Sequence, residues 1–558
     1  MENTGIEYIA SYARSRGFSV TMINAGLHGL SPDDIIQIIR LSRYRILGIS
    51  VLHWTIKSSI QIAQASRRFH PDRYIILGGI EAALNAEYLL ANFLFVDSIC
   101  LGEGEKTVAE LLSCFSGSRD WRSIKGLAYR VGESVVFNSP ADLINPLDAL
   151  PFPARDDIAS VFDLGGPITV STSRGCFGNC HFCPVRSFYR LSKGASWRGR
   201  SPMSVAKEIK FLHETYGADL FSFIDETVAG PGDKGMERLR ELAAGIRDSH
   251  LNIDFFLTIR ADQITKDGFR ELKAVGLKKV EIGIESMAES QLHRYGKTAQ
   301  VKDNHRALAI LDALGIQSEI FMIPYDPEVT YSEIKKNFTF YRKRFSGKKA
   351  RYDVSPLTMA DYLYPYPGTR SRQLYESLGL LGHDYFVPFH ALRPAVTKTQ
   401  RVVGLFLAAI HQVFPMSYAG LGNLWINSAR LPKRVYHEIC LTSARFGKLL
   451  SDLTFWVYGI TSSSRPLTAQ RKRQISNRLG KFLALASKRH DQTRRIMRRY
   501  GSTEQKHPSP KLFPNHFSRQ LYLYGRCKKR DFIKNSYKKT LEGDRLLPVL
   551  MSLLENEK

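Results

Sequence analysis

Apolar positions over the first 150 residues switch repeatedly between helical and strand spacing. Ile6–Arg16 reads as a helix, Ser19–Ile23 as a strand and Pro32–Leu41 as a second helix. Ile46–Val51 then reads as an apolar strand, Ile56–Phe69 as a helix and Tyr74–Leu77 as a strand closed by Gly78-Gly79. This alternation predicts an α/β, doubly wound, Rossmann-like domain over residues 1–138. The pattern opens on a helix, so its expected first strand is missing. Sheets of this kind take ligands at the carboxyl ends of their strands. Three loops fall there: Ser50-Val51-Leu52-His53-Trp54, Gly78-Gly79-Ile80-Glu81 and Gly102-Glu103-Gly104-Glu105.

Pro140, Pro146, Pro151 and Pro153 punctuate a linker over residues 139–160. Six strand-like runs alternate with helices over residues 161–385: Pro167–Thr172, Leu220–Asp225, Ile253–Ile259, Lys279–Ile284, Gln317–Ile323 and Tyr352–Met359. Six such units predict a partial (β/α)6 barrel with its chemistry at the carboxyl ends of the strands. Residues 386–558 read as helical and increasingly basic. The apolar run Val402–Phe414 is too short to span a bilayer and predicts a buried helix, so no membrane span is expected.

Charge changes this picture at one end. The 558 residues carry a net +26, and Arg465–Lys558, with 24 Lys/Arg against 7 Asp/Glu, supply +17 of it. Such a tail suits an acidic partner, and equally a solvated helical face. The N-terminus has no basic stretch leading into an apolar run, and no signal peptide is expected. Seven cysteines are an odd number, and three crowd into eight residues, which predicts a reducing, cytoplasmic setting and a metal or cluster site.

Those three lie in Cys176-Phe177-Gly178-Asn179-Cys180-His181-Phe182-Cys183, just after the first barrel strand. Three thiolates at this spacing can ligate three irons of a [4Fe-4S] cluster and leave the fourth open to substrate. Zinc held with His181 is the alternative, but His181 directly follows Cys180 and the two would rarely reach one tetrahedral ion. At this point the chain resembles the radical S-adenosylmethionine superfamily, in the branch carrying an N-terminal cobalamin-binding domain. The resemblance covers about residues 1–390. It implies that Cys176, Cys180 and Cys183 hold the cluster, whose open iron binds S-adenosylmethionine and cleaves it to a 5′-deoxyadenosyl radical.

By the same resemblance, Asp225-Glu226 contacts the amino group of S-adenosylmethionine, and Arg260 and Glu285 belong to segments holding its carboxylate, ribose and adenine. Acidic residues at 225 and 226 also suit a helix cap, and Arg260 can instead pair with Asp262 at the surface. Gly78-Gly79 and Gly102-Glu103-Gly104-Glu105 resemble the family's corrin-binding loops, which makes Gly78, Gly79, Gly102, Gly104 and Glu105 candidate contacts; Ser50, His53 and Trp54 join them from the first strand-end loop, with His53 or Trp54 expected to shield the cobalamin. The Asp-x-His-x-x-Gly motif that supplies an axial histidine in similar proteins is absent, so cobalamin is expected without a lower histidine ligand.

The family's chemistry implies methylation of an unactivated carbon in a biosynthetic pathway. Ring contraction, oxidative cyclisation, radical modification of nucleic acid and non-catalytic cobalamin sensing are alternatives. Too few N-terminal cysteines for a second cluster argue against the nucleic-acid reading, and the intact triad argues against sensing. The expected partners are a small-molecule substrate, in one reading tethered to an acidic carrier protein, and an electron donor such as flavodoxin or ferredoxin.

Overall fold

The computed structural model describes residues 2–117, 120–344, 361–381, 391–397, 399–403, 433–463, 468–500 and 551. They fall into two compact units. The first comprises Met1–Val280, Ala313–Ile316 and Tyr366–Arg372; the second comprises Glu281–Asp312, Gln317–Pro365 and Gln373–Lys558.

The first unit opens with a five-stranded sheet of β1 (Ile46–Ser50), β2 (Tyr74–Gly78), β3 (Ser98–Cys100), β4 (Leu127–Val131) and β5 (Ser134–Phe137), in that order. β1, β2 and β3 are parallel, with Ser50 level with Gly78. β4 and β5 return antiparallel as a hairpin. The apolar run of β2 is buried along its first four residues, as a strand covered on both faces must be. Helix Ile56–Phe69 turns Ser59, Ala63 and Ser66 inward, small residues that allow close packing. Helix Thr4–Arg14 is capped by the Asn3 side chain, which accepts from Ile6 N–H.

Ser19–Ile23 is not a strand. Its residues alternate between half-buried and exposed without pairing, and the Val20 carbonyl accepts from Arg14 Nη2. Local periodicity was satisfied there, but no neighbouring strand completes a ladder. The Tyr352–Met359 strand, and all but the first two residues of Val402–Phe414, lie outside the described residues.

The segment 139–160 is packed rather than loose. Arg155, almost fully buried, pairs with Glu2 (2.9 Å) and Glu208 (2.9 Å), and Thr169 N–H donates to Glu2 Oε2 (2.6 Å). The start of the chain and the first strand of the second sheet are thereby tied together inside the first unit. The second sheet runs β6 (Ile168–Val170), β9 (Leu220–Phe223), β10 (Asp254–Arg260), β11 (Leu277–Glu285), β12 (Gln317–Met322), neighbours in chain order as in a barrel. β6, β9 and β10 are parallel. A two-stranded antiparallel ribbon, β7 (Ser173–Arg174) and β8 (Arg198–Gly199), sits between β6 and β9 in the chain.

β11 passes from the first unit into the second, where β12 follows. In the second unit, helix Lys433–Thr461 packs on helix Tyr331–Arg344, with Tyr331 and Tyr458 stacked at 3.9 Å between ring centroids. Helix Ala469–Tyr500 packs on Lys433–Thr461 and carries basic residues along its length.

Candidate functional site

Cys176 to Cys183 connect β7 to helix Pro184–Tyr189, with Cys183 as its N-cap and proline in the first turn. All three thiols are half-buried. Gly178 N–H points at Cys176 Sγ (3.3 Å), and the Cys183 N–H closes a turn onto Cys180 C=O (3.2 Å). Burial pushes the Cys176 thiol up and the Cys183 thiol up to about 12, so neither ionises readily until a cation joins them. Arg260, at the end of β10, lies over the Phe177 ring (5.1 Å) and acts electrostatically on Cys180 and Cys176.

Among the described residues no three His, Cys, Asp or Glu side chains converge on a single ion. A cube, by contrast, offers each thiolate its own iron. His181 Nε2 is 2.9 Å from Arg370 Nη1, in a contact of its own. With His181 engaged by Arg370, the three thiolates are the donor set left, and they fit a [4Fe-4S] cluster.

The two acidic residues after β9 have different surroundings. Asp225 is buried; its Oδ1 accepts from Thr172 N–H (2.8 Å) and Ser173 N–H (2.5 Å), and its Oδ2 from Thr172 Oγ1 (2.8 Å). It braces the turn that launches the cluster loop. Glu226 is exposed, and its Oε2 accepts from the N–H of Gly175, next to Cys176 (3.0 Å). Arg260 does pair with Asp262, through Nε (3.0 Å) and Nη2 (2.7 Å), but as a buried group rather than a surface one.

In the second unit, Glu285 adopts a left-handed conformation (φ 62°), and its carbonyl accepts from Ile323 N–H (2.8 Å). Lys297 Nζ reaches Gly283 C=O (3.0 Å) and Glu285 Oε1 (3.4 Å). A glutamate held at positive φ is strained, and such residues cluster at functional sites.

At the first sheet, Ser50, Gly78 and Gly79 share the carboxyl edge, beside Trp54 (42% exposed). Gly79 has φ 88°, and a Cβ there would sit 2.8 Å from Val51 C=O. Gly102 (φ 104°) lies against Ser192, and a Cβ on Gly104 would meet Ile9 Cδ1 at 2.7 Å. Packing within the protein thus accounts for these three glycines, whereas Gly78 has only an ordinary contact, with Cys100. His53 is buried, with Nδ1 3.1 Å from Glu81 Oε1 and its ring edge-on to Tyr366. A histidine engaged in this way is not set out as a lower ligand. Ser50 and Gly78 remain as small residues on this edge whose size internal packing does not require, and with His53 engaged the residues present fit a corrin without axial histidine.

Glu105 is buried and ion-paired to Arg174 (2.6 Å), and Glu103, beside it, pairs with Arg174 and Arg198. Arg174 and Arg198 are not among the candidate site residues read from the sequence, and Glu103 is named there only as part of its loop. Their signal was there to read, an arginine two positions before the first cluster cysteine and a second acid inside Gly-Glu-Gly-Glu.

Comparison with known proteins places names on both sheets. Residues 1–112 match the model of the B12 binding domain, and residues 170–340 match that of the Radical SAM superfamily. An uncharacterized methyltransferase of Pyrococcus horikoshii, PH0819, is 27% identical over 369 residues, covering 66% of this chain and 76% of that protein. An anaerobic magnesium-protoporphyrin IX monomethyl ester cyclase of Synechocystis is 26% identical over 302 residues; the match covers 53% of this chain and 59% of the cyclase. Among solved structures, the cobalamin-dependent S-adenosylmethionine radical enzyme OxsB, with aqua-cobalamin and S-adenosylmethionine bound, aligns over 99% of this chain and 81% of its own. That alignment has a TM-score of 0.68 at 18% identity and shows a common fold.

A cysteine loop after a barrel strand, joined to a B12-binding sheet, defines a radical S-adenosylmethionine enzyme whose cofactors are a [4Fe-4S] cluster, S-adenosylmethionine and cobalamin. The chain thus carries a B12-binding domain and a Radical SAM domain together, the pairing of cobalamin-dependent radical S-adenosylmethionine proteins. No helix among the described residues is long and apolar enough to cross a membrane.

Proposed function

We propose that this protein methylates an unactivated carbon of a small biosynthetic substrate. The observation that carries the reading is the joining, within one compact unit, of the cysteine loop and the carboxyl edge of the B12-binding sheet. A nucleophilic nitrogen or oxygen takes a methyl group from S-adenosylmethionine directly and needs neither radical nor corrin. When bound, the cluster with S-adenosylmethionine supplies a hydrogen-abstracting radical, and the corrin supplies the methyl carrier.

The chain's residues hold these groups and exclude water. Cys176, Cys180 and Cys183 are the cluster ligands. Glu226, exposed beside Gly175, is placed to meet the amino group of S-adenosylmethionine, while Asp225 fixes the turn beneath it. Arg260 adds a positive charge next to the thiolates and toward the methionine carboxylate. For Glu285, a role toward the nucleoside rests on the family resemblance and on its strained backbone. Ser50, Trp54, Gly78 and Gly79 face the corrin.

A second reading is oxidative cyclisation, favoured by the likeness to the Synechocystis cyclase. Incubation with methyl-deuterated S-adenosylmethionine separates the two: methylation puts the label into the product, and cyclisation leaves it out. The reading also includes a reducing, cytoplasmic location, an electron donor of the flavodoxin or ferredoxin class, and an acidic carrier protein presenting the substrate to the basic C-terminal helices.

A further inference from the structure

The ribbon that launches the cluster loop is clamped by the Gly102–Glu105 loop of the B12-binding sheet. Arg174 and Arg198 stand directly opposite each other on β7 and β8, and like charges so placed repel. Glu103 lies between them. Its Oε1 accepts from Arg174 Nη1 (2.9 Å) and Arg198 Nη2 (3.0 Å), and its Oε2 from Arg198 Nη1 (2.9 Å) and Ile144 N–H (2.7 Å). Arg174 Nη2 donates to Glu105 Oε1 (2.6 Å). The side chains of Glu103, Glu105 and Arg198 are 4–6% exposed, and that of Arg174 is 13% exposed.

Burial pushes the Glu103 carboxyl up, but the hydrogen bond from Arg198 and the charges of Arg174 and Arg198 outweigh it, and the group stays below its ordinary range. The loop has little freedom, because Gly102 is packed on Ser192 and Gly104 on Ile9. On the other side, Gly175 follows Arg174 directly, and its N–H donates to Glu226. Polar contacts from the Gly102–Glu105 loop to Arg174, the backbone step to Gly175 and the Gly175 N–H bond to Glu226 thus link that loop to the carboxylate beside the first cluster cysteine.

We infer that Arg174 is a positioning residue that couples the two cofactor sites. A corrin seated on the sheet edge bears on the Gly102–Glu105 loop, which packing already holds in place. The fork from Arg174 to Glu103 and Glu105 then fixes β7, Gly175 and the Glu226 contact in their binding geometry. Coupling of this kind is reciprocal, so S-adenosylmethionine binds more tightly to the corrin-loaded protein. The inference rests on the site reading above and adds a residue that it does not use.

The full chain, reconstituted anaerobically, is titrated with S-adenosylmethionine with and without hydroxocobalamin, and binding is read from the electron paramagnetic resonance signal of the reduced cluster. Wild type binds about ten-fold more tightly when corrin-loaded, within the usual range of coupling between sites. R174Q takes up cobalamin and iron as wild type does but shows less than about a two-fold difference. R174K, which keeps the charge without the two-pronged fork, falls between. Full coupling in R174Q overturns the inference. If R174Q does not fold, E105Q decides: it keeps the Glu103 contacts, loses part of the coupling if Arg174 transmits it, and overturns the inference if coupling is unchanged. A wild type that loads both cofactors without coupling overturns this inference alone. One that loads no cobalamin or no iron overturns the site reading as well.

Discussion

Cys176, Cys180 and Cys183 stand out in the sequence because a thiolate is a fixed chemical donor and three at this spacing have few other uses. Each of C176A, C180A and C183A should lower iron from about four per chain and abolish reductive cleavage of S-adenosylmethionine. C100A and C114A should leave both unchanged, since those thiols are buried in the B12-binding sheet's own core. Iron analysis and 5′-deoxyadenosine assay of the five variants check this. The division of labour between Asp225 and Glu226 was not legible: two adjacent acids read alike until the strand's end turns one inward and one out. Glu81 carries a pH signature of its own. Burial pushes its carboxyl up to about 8, against the opposing pull of Arg372 and a hydrogen bond from Asn85. The neutral form is the favoured one, so its contribution to stability is complete below the unfolded value near 4.5 and is lost as pH rises through about 8. Thermal melts from pH 6 to 9 should fall more steeply with pH for wild type than for E81Q.

Most elements could be read from periodicity, and Pro32–Leu41 and Ile56–Phe69 were read to the residue. Ser19–Ile23 had the right alternation and no partner, which is a tertiary fact. The β4–β5 hairpin was missed, although Gly132-Glu133 between two apolar runs marked its turn. The strand-end glycines also divide only in three dimensions. G79A should lower Tm by an amount matching about 1–3 kcal/mol, because the new Cβ meets Val51 C=O at a strained φ. G78A should be tolerated. The bulkier G78F should weaken cobalamin uptake at least about ten-fold, roughly 1.4 kcal/mol, while iron content stays unchanged, as spectrophotometric titration would record.

At the scale of the molecule, Arg155, Glu2 and Glu208 bind the proline-rich segment into the first compact unit, and the segment falls between the residues that match the B12 binding domain and those that match the Radical SAM superfamily. Prolines mark where a chain leaves regular structure; they do not say what the departing segment packs against. Among the described residues of the basic C-terminal region, Lys433–Thr461 and Ala469–Tyr500 are helical, as the pattern implied. Reversing charge at Arg494, Arg495, Arg498 and Arg499 on helix Ala469–Tyr500 should raise the apparent KM for a carrier-tethered substrate. The effect should fade between 0.1 M and 1 M salt as the Debye length drops from about 10 Å to about 3 Å. Steady-state assays on free and tethered substrate should respond differently. The central claim, carbon methylation by a cobalamin-dependent radical enzyme, is tested most directly by mass spectrometry of products formed by the reconstituted holoenzyme from candidate small substrates and methyl-deuterated S-adenosylmethionine. The account predicts a product carrying the intact deuterated methyl group on carbon, formed together with 5′-deoxyadenosine. A product that has lost hydrogen but gained no label, with 5′-deoxyadenosine still formed, would contradict it.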